Sequence, residues 1–171
     1  KRIMAHAEKS AAYMADGYAR VAKKAGICGA QSVGGINLAA GLQDAYLACS
    51  PTIALTGRLP QIQQNRNAYQ EVDHINPFSA VTKFNTFVTT AEELPLALRQ
   101  AFRESTSGTP GPSHIDLQGI TGEIITEIGD FEIIAEKQYI NLPPFRPEPE
   151  LSAIIETIKL LSEAKKPVII A

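Results

Sequence analysis

The sequence carries almost no excess of charge and no long apolar run. Its 171 residues hold 16 Lys and Arg against 18 Asp and Glu, a formal net charge of −2. That balance gives neither the basic surface that binds nucleic acid nor a polybasic surface for membranes. No apolar stretch approaches the roughly 18 residues that a membrane-spanning helix needs. These absences predict no nucleic-acid partner and no membrane partner.

The sequence also lacks the short motifs that mark several classes of site. Cys28 and Cys49 lie in apolar runs and form no CxxC or Cys/His pattern, so we predict buried, reduced thiols and a cytoplasmic protein. His6, His74 and His114 show no metal-ligand spacing, and no residue is predicted to bind a metal. There is no nucleophile elbow, no P-loop and no dinucleotide-binding glycine fingerprint.

What the sequence does contain is an alternation of short apolar strands with helical stretches. Segments typical of strands are GICGA, PTIALTG, FNTFVTT and GPSHIDLQG, and helical patterns lie between and before them. Such an order is typical of a parallel sheet whose crossover helices cover both faces. We therefore predict an α/β fold in three layers, helix, parallel sheet and helix.

The composition predicts a boundary after residue 140. Residues 141–150, NLPPFRPEPE, carry four prolines and predict a stiff linker. Residues 151–171 contain one amphipathic helix and one strand, KKPVIIA, which we interpret as the start of a second α/β domain. The expected organisation is a domain over 1–140, a linker over 141–150 and part of a middle domain over 151–171, with both ends truncated from a longer chain.

Three loops stand out, because α/β proteins place their sites where parallel strands end. QSVGGIN, residues 31–37, brings Gly34, Gly35 and Asn37 together, although a tight strand-to-helix turn would explain the glycines equally. The long polar loop over residues 56–73 holds Gln70, and a solvated surface loop is the alternative. Lys83 follows in VTKFN, where a solvated surface charge is the alternative.

Glu8 stands near the start of the first helix, among small and apolar neighbours in HAEKSAAYMADGYARV. Acidic residues in a first helical turn complement the helix dipole, which is the ordinary explanation. A carboxylate on a stretch that otherwise favours burial also fits a buried chemical role. The residues alone leave both explanations open.

Taken in order, these pieces resemble the N-terminal, pyrimidine-binding domain of thiamine diphosphate-dependent enzymes, in the acetolactate synthase branch. The resemblance rests on AEKSAAYMADGYAR, SVGGINLAAGLQDAYLACSPTIALTG, NAYQEVDHINPFSAVTKFN and AFRESTSGTPGPSHIDL, and it covers residues 1 to about 120 at consistent spacing. The last residues resemble the start of that family's middle domain.

By this resemblance Glu8 is the catalytic and cofactor-binding glutamate. In the family that glutamate hydrogen-bonds N1′ of the aminopyrimidine and favours the imino tautomer, whose nitrogen removes the thiazolium C2 proton. Gly34 and Asn37 would border the cofactor. Here Gln31 to Gly34 stand where the family commonly has Ser-Gly-Pro-Gly, which leaves the substrate open. Decarboxylases and carboligases share this scaffold, and fold alone does not choose between them.

The resemblance also assigns a substrate side. Tyr69, Gln70 and Lys83 would face the substrate, with Tyr69 in place of the usual Phe. The implied activity is decarboxylation and carboligation of 2-oxo acids by an acetolactate synthase-like enzyme. The alternatives are a related thiamine diphosphate decarboxylase with another substrate and a non-catalytic regulatory or assembly domain.

The resemblance implies partners beyond this chain. The family holds the diphosphate and Mg²⁺ on a separate domain with a Gly-Asp-Gly…Asn motif, which this sequence lacks. The chain by itself is therefore expected to be inactive, and FAD on the middle domain is left open. A homodimer or homotetramer is expected, with close helix contacts through small residues: Ala11, Ala12, Ala15, Ala39, Ala40 and Gly41.

Overall fold

The computed structural model describes residues 2–119, 130–133 and 135–170 of the chain. Its helices are α1 (Glu8–Ala22), α2 (Gly34–Leu47), α3 (Ile75–Ser79), α4 (Leu94–Thr106) and α5 (Leu151–Glu163). Its strands are β1 (Gly26–Gln31), β2 (Thr52–Arg58), β3 (Phe84–Val88) and β4 (Ser113–Gln118). These elements match the alternation that the sequence predicted.

The four strands form one sheet in the order β1-β2-β4-β3, and every neighbouring pair is parallel. Successive strand residues point to opposite faces, so Ile53 and Ala54 of β2 enter two separate apolar clusters. The Ala54 cluster contains residues of α1 and α2, and the Ile53 cluster contains Ala97 and Ala101 of α4. Helices therefore cover both faces, and the predicted three-layer parallel α/β fold is confirmed.

The small residues of α1 and α2 pack against each other within the chain. Ala12, Ala15, Ala39 and Gly41 are all buried, and a Cβ built on Gly41 would lie 2.8 Å from the Cβ of Ala12. The expectation that these residues mediate contact between subunits is therefore wrong for the buried ones, because the neighbouring helix of the same chain occupies that face.

The close approach of α1 and α2 gives a matched pair of stability predictions. A Cβ on Gly41 would lie 2.6 Å from the backbone oxygen of Lys9, so Gly41→Ala must push the helices apart. We expect it to lower the free energy of unfolding by about 1–3 kcal/mol. Gly17 of α1 has nothing within 4 Å of its built Cβ, so Gly17→Ala should raise that free energy by up to about 1 kcal/mol.

Urea unfolding of both variants measures this difference. Equal effects of the two substitutions, or a Gly41→Ala protein as stable as the wild type, would contradict the described helix packing.

Three features differ from expectation or refine it. Cys28 is buried as predicted, but Cys49 is exposed, because it follows the end of α2 in a left-handed turn with φ of 53°. The predicted final strand is absent over residues 164–170, which have no pairing partner there. Where the linker was predicted, Asn141 still pairs with Lys24, and the chain runs free of regular structure from residue 143 to α5.

Helix α5 forms as predicted over Leu151–Glu163, with no buried residue along its length. In the described part of the chain, no helix is long and apolar enough to cross a membrane.

Candidate functional site

The carboxyl ends of the parallel strands collect the loops singled out from the sequence. β1 ends at Gln31 and β2 at Arg58, so the 32–33 turn and the 59–74 loop lie at the same edge of the sheet. Helix α1 runs back along the sheet into β1 after a short turn, which places its first residue, Glu8, at this edge too. Such an edge is where α/β folds place their ligands.

Glu8, Gly34 and Asn37, which the resemblance assigned to the cofactor, meet at this edge. The Asn37 side-chain amide donates to Glu8 Oε2 at 3.3 Å. A Cβ built on Gly34 would lie 2.7 Å from Glu8 Oε1 and 3.1 Å from its Cδ. Gly34 therefore leaves the space that the carboxylate occupies, and any larger residue would displace it. The glutamate is only partly exposed, in the first turn of α1.

The loop over residues 59–74 carries Tyr69 and Gln70 at this edge, both exposed. Glu71 organises the loop from inside: its carboxylate accepts the backbone N–H groups of Asn65, Arg66 and Ala68. These backbone hydrogen bonds, that of Asn65 first, hold the pKa of Glu71 below its ordinary value. The assignment of Tyr69 and Gln70 to a substrate stays a prediction.

Lys83 lies away from this group. It precedes the first residue of β3, at the amino edge of a parallel sheet, whereas Glu8 is at the carboxyl edge. Its ammonium donates to the backbone oxygens of Glu104 and Ser107 at 2.6 and 2.8 Å. A cation on the last carbonyls of α4 stabilises that helix end. The structure thus gives Lys83 a capping role, and its place on a substrate side remains a prediction.

A network of hydrogen-bonded, buried polar side chains lies beneath the 59–74 loop, and no motif in the sequence predicted it. His74 is fully buried, with Nδ1 2.9 Å from Asp116 Oδ1 and Nε2 2.7 Å from the backbone oxygen of Ser32. Thr56 donates to the same Asp116 oxygen at 2.6 Å. Within the described residues, the other oxygen of Asp116, Oδ2, has no hydrogen-bond partner, and the Arg58 guanidinium lies 3.7 Å from it.

The network of buried polar side chains continues to His114 on β4. Its Nε2 lies 2.7 Å from Thr56 Oγ1 and its Nδ1 2.7 Å from Asn85 Oδ1. The ring of Phe78 stacks on it, with ring centroids 3.6 Å apart. Burial first, and the nearby charge of His74 second, lower the pKa of His114 to about 3. His114 is therefore neutral at neutral pH.

The spacing of two polar residues in the sequence could have indicated this network. His114 and Asp116 are two positions apart in SHIDLQ, so they share one face of a strand whose neighbours are apolar. Buried polar groups of this kind require partners. The partners come from β2, from β3 and from the residue before α3, and nothing local in the sequence identifies them. Among the described residues, no group of His, Cys, Asp and Glu is arranged to hold a metal ion.

The fold and this edge agree with a comparison against protein families. Residues 1–76, which include α1, the 32–33 turn and the whole 59–74 loop, match the family described as thiamine pyrophosphate enzyme, N-terminal TPP binding domain. The match is to the family of thiamine diphosphate-dependent enzymes that the sequence resemblance predicted.

Within that family the chain is similar to acetolactate synthase large subunits, and the predicted branch is confirmed. It is 38% identical to the probable acetolactate synthase large subunit of Methanocaldococcus jannaschii over 99% of this chain. It is 33% identical to the chloroplastic acetolactate synthase of Arabidopsis thaliana and 34% identical to the large subunit of Corynebacterium glutamicum. The chain spans 29%, 25% and 26% of the lengths of these three relatives.

Proposed function

We propose that this chain supplies the pyrimidine side of a thiamine diphosphate site in an acetolactate synthase-like enzyme. Such an enzyme removes carbon dioxide from a 2-oxo acid and joins the remaining fragment to an acceptor. The observation that carries the proposal is the Glu8 carboxylate, which lies beside a residue that has no side chain, Gly34, and hydrogen-bonds Asn37. When bound, the cofactor supplies a carbanion and an electron sink for the decarboxylation.

Glu8 is the group that holds a proton at the cofactor's pyrimidine nitrogen in this proposal. A carboxylate can share a proton with a ring nitrogen only if it faces that nitrogen at hydrogen-bond distance. Asn37 fixes one oxygen, Oε2, and Gly34 leaves the space around the other, Oε1. The carboxylate is therefore oriented before any ligand arrives, which reduces the cost of binding.

The residues fit one half of a cofactor site. The described chain offers a carboxylate for the pyrimidine but no acidic cluster for Mg²⁺. We assign the diphosphate and Mg²⁺ to residues outside this chain, and we propose a homodimer or homotetramer that acts in the cytoplasm on a small 2-oxo acid. Exposed Tyr13, Met14 and Tyr18 on the outer face of α1 support association with a further chain.

Calorimetric titration of the 171-residue chain with thiamine and with thiamine diphosphate tests this division of the site. If the chain holds only the pyrimidine side, the two ligands should bind weakly and within about tenfold of each other, a difference of less than about 1.4 kcal/mol. Glu8→Gln should weaken both. A thiamine diphosphate affinity more than about 100-fold above that of thiamine would contradict the proposal, because the diphosphate would then have ligands within this chain.

A further inference from the structure

The hydrogen bonds of His74 define its protonation state. Both of its partners are acceptors: Asp116 Oδ1 at 2.9 Å from Nδ1 and the Ser32 carbonyl at 2.7 Å from Nε2. A neutral imidazole carries one N–H and would leave one of these contacts without a proton. Since the ring and the carboxylate are fully buried, water cannot fill the deficit. The imidazolium satisfies both contacts.

The charged and polar groups around His74 favour its protonated form. Burial lowers the pKa of His74, and Arg58 on β2 acts in the same direction. The Asp116 carboxylate on β4 and the Ser32 carbonyl outweigh them, so the pKa of His74 is raised above its ordinary value. His114, also on β4, differs from His74 because its partners, the Thr56 hydroxyl and the Asn85 amide, can donate as well as accept, so a neutral ring satisfies them. With its pKa lowered to about 3 by burial, His114 adds no opposing charge.

On the segment of His74 itself, Asp73 is exposed, and its carboxylate accepts hydrogen bonds from Ile75 and Asn76. The carboxylate that hydrogen-bonds the imidazole is therefore that of Asp116 and not that of Asp73.

The carbonyl that His74 binds belongs to a strained residue. Ser32 is buried with φ of 45°, the left-handed region that non-glycine residues rarely adopt. Its carbonyl also accepts the backbone N–H of Gly35 at 2.9 Å, and its own N–H donates to Gly57. Strained backbone persists only where the surroundings hold it. His74 supplies one of the contacts that hold this turn between β1 and α2.

Gly35 makes that contact sterically possible. A Cβ built on Gly35 would lie 2.6 Å from His74 Nε2. The two adjacent glycines thus admit different side chains, Gly34 the Glu8 carboxylate and Gly35 the His74 ring. Any movement of the Ser32 turn shifts both glycines, and with them the surface against which Glu8 lies.

We propose that His74 is a positioning residue: as an imidazolium paired with Asp116, it holds the Ser32 turn and thereby fixes the place of the Glu8 carboxylate. The last step, from the turn to the chemistry of Glu8, rests on the proposed function. A group whose pKa is raised on folding stabilises the fold below its unfolded pKa, and the stabilisation is lost as the pH rises through the folded value. The turn should therefore loosen on the alkaline side.

Nitrogen-15 NMR of the histidine rings in the 171-residue chain tests the protonation state without any ligand. We expect both ring nitrogens of His74 to be protonated at pH 7 in the wild type, and one to lose its proton in Asp116→Asn. Ser113→Ala is the control, because it removes a buried hydrogen bond of β4, to the Ala101 carbonyl, that has no link to the turn. A neutral His74 in the wild type at pH 6 would overturn the proposal.

Kinetics of the enzyme that contains this chain test the positioning step. We expect the wild type to lose activity on the alkaline side, and we expect His74→Gln to lower kcat about tenfold, with little change in substrate KM, and to abolish that alkaline loss. Gln keeps one donor but cannot serve both acceptors. Adding Ser32→Gly should restore part of the loss, because glycine adopts the left-handed conformation without strain.

The outcomes separate this proposal from the proposed function. If Glu8→Gln abolishes activity while His74→Gln keeps the wild-type rate and pH profile, the positioning role is overturned and the cofactor site stands. If Glu8→Gln has no effect on activity while NMR finds the Asp116-dependent imidazolium, the cofactor assignment fails. The contact by which His74 holds the Ser32 turn then stands without it.

Discussion

Glu8→Gln is expected to lower turnover of the complete enzyme by about 10²- to 10⁴-fold, the range that a positioned proton-transfer group contributes. The amide is the same size and can still pair with Asn37, so fold and substrate KM should change little. What it loses is the ability to hold a proton between the side chain and a ring nitrogen. Steady-state kinetics at saturating cofactor measure the effect.

The matched control for this substitution is Glu92→Gln. Glu92 is exposed in the turn before α4, so the same change of charge there should leave turnover within about twofold. A Glu8→Gln enzyme with at least half of the wild-type rate would remove the catalytic role and favour a non-catalytic domain.

Gly34→Ala should have the second-largest effect, although it adds only a methyl group. The new Cβ would lie 2.7 Å from Glu8 Oε1 and 3.1 Å from Cδ, closer than real contacts allow. The carboxylate must then move. Because a misplacement of about 1 Å can cost about 10²-fold in rate, we expect a loss of that size in kcat.

The double variant Glu8→Gln/Gly34→Ala provides the sharper result. If Gly34 acts through Glu8, adding Gly34→Ala to Glu8→Gln should lower the rate much less than it does in the wild type, because the two residues act as a unit. Gly17→Ala controls for the added methyl group. Full additivity of the two losses would show that Gly34→Ala acts by disturbing the fold instead.

Much of the fold follows from periodicity. GICGA, PTIALTG and GPSHIDLQG are short apolar runs bounded by turn residues, and such runs become strands of a parallel sheet wherever helices can cover both faces. The final KKPVIIA has the same pattern, but its residues 165–170 have no partner strand in the described part of the chain, so they form no strand and stay exposed. A strand depends on its neighbours, which local pattern cannot supply.

The site was partly accessible from sequence because two of its signals are local. Glu8 opens a helix and Gly34 opens the next one, so topology alone brings them to one edge. The segment of Lys83 resembles the other loops in sequence, but the parallel register places it at the opposite edge of the sheet, which local pattern cannot reveal.

His74 could not be assigned from local signals. Its partners are 42 residues away in each direction, at Ser32 and Asp116. Only the assembled sheet brings the three together, and the sequence spacing of the histidines carried no indication of it.

Exchange of the thiazolium C2 proton for deuterium on the bound cofactor is the sharpest test of the role of Glu8, because it isolates the one step assigned to this residue. We expect rapid exchange in the wild-type enzyme, exchange slowed by at least about 10²-fold in Glu8→Gln, and wild-type exchange in Glu92→Gln. Equal exchange rates in the wild type and in Glu8→Gln, with the cofactor bound in both, would rule out the proposed role of Glu8.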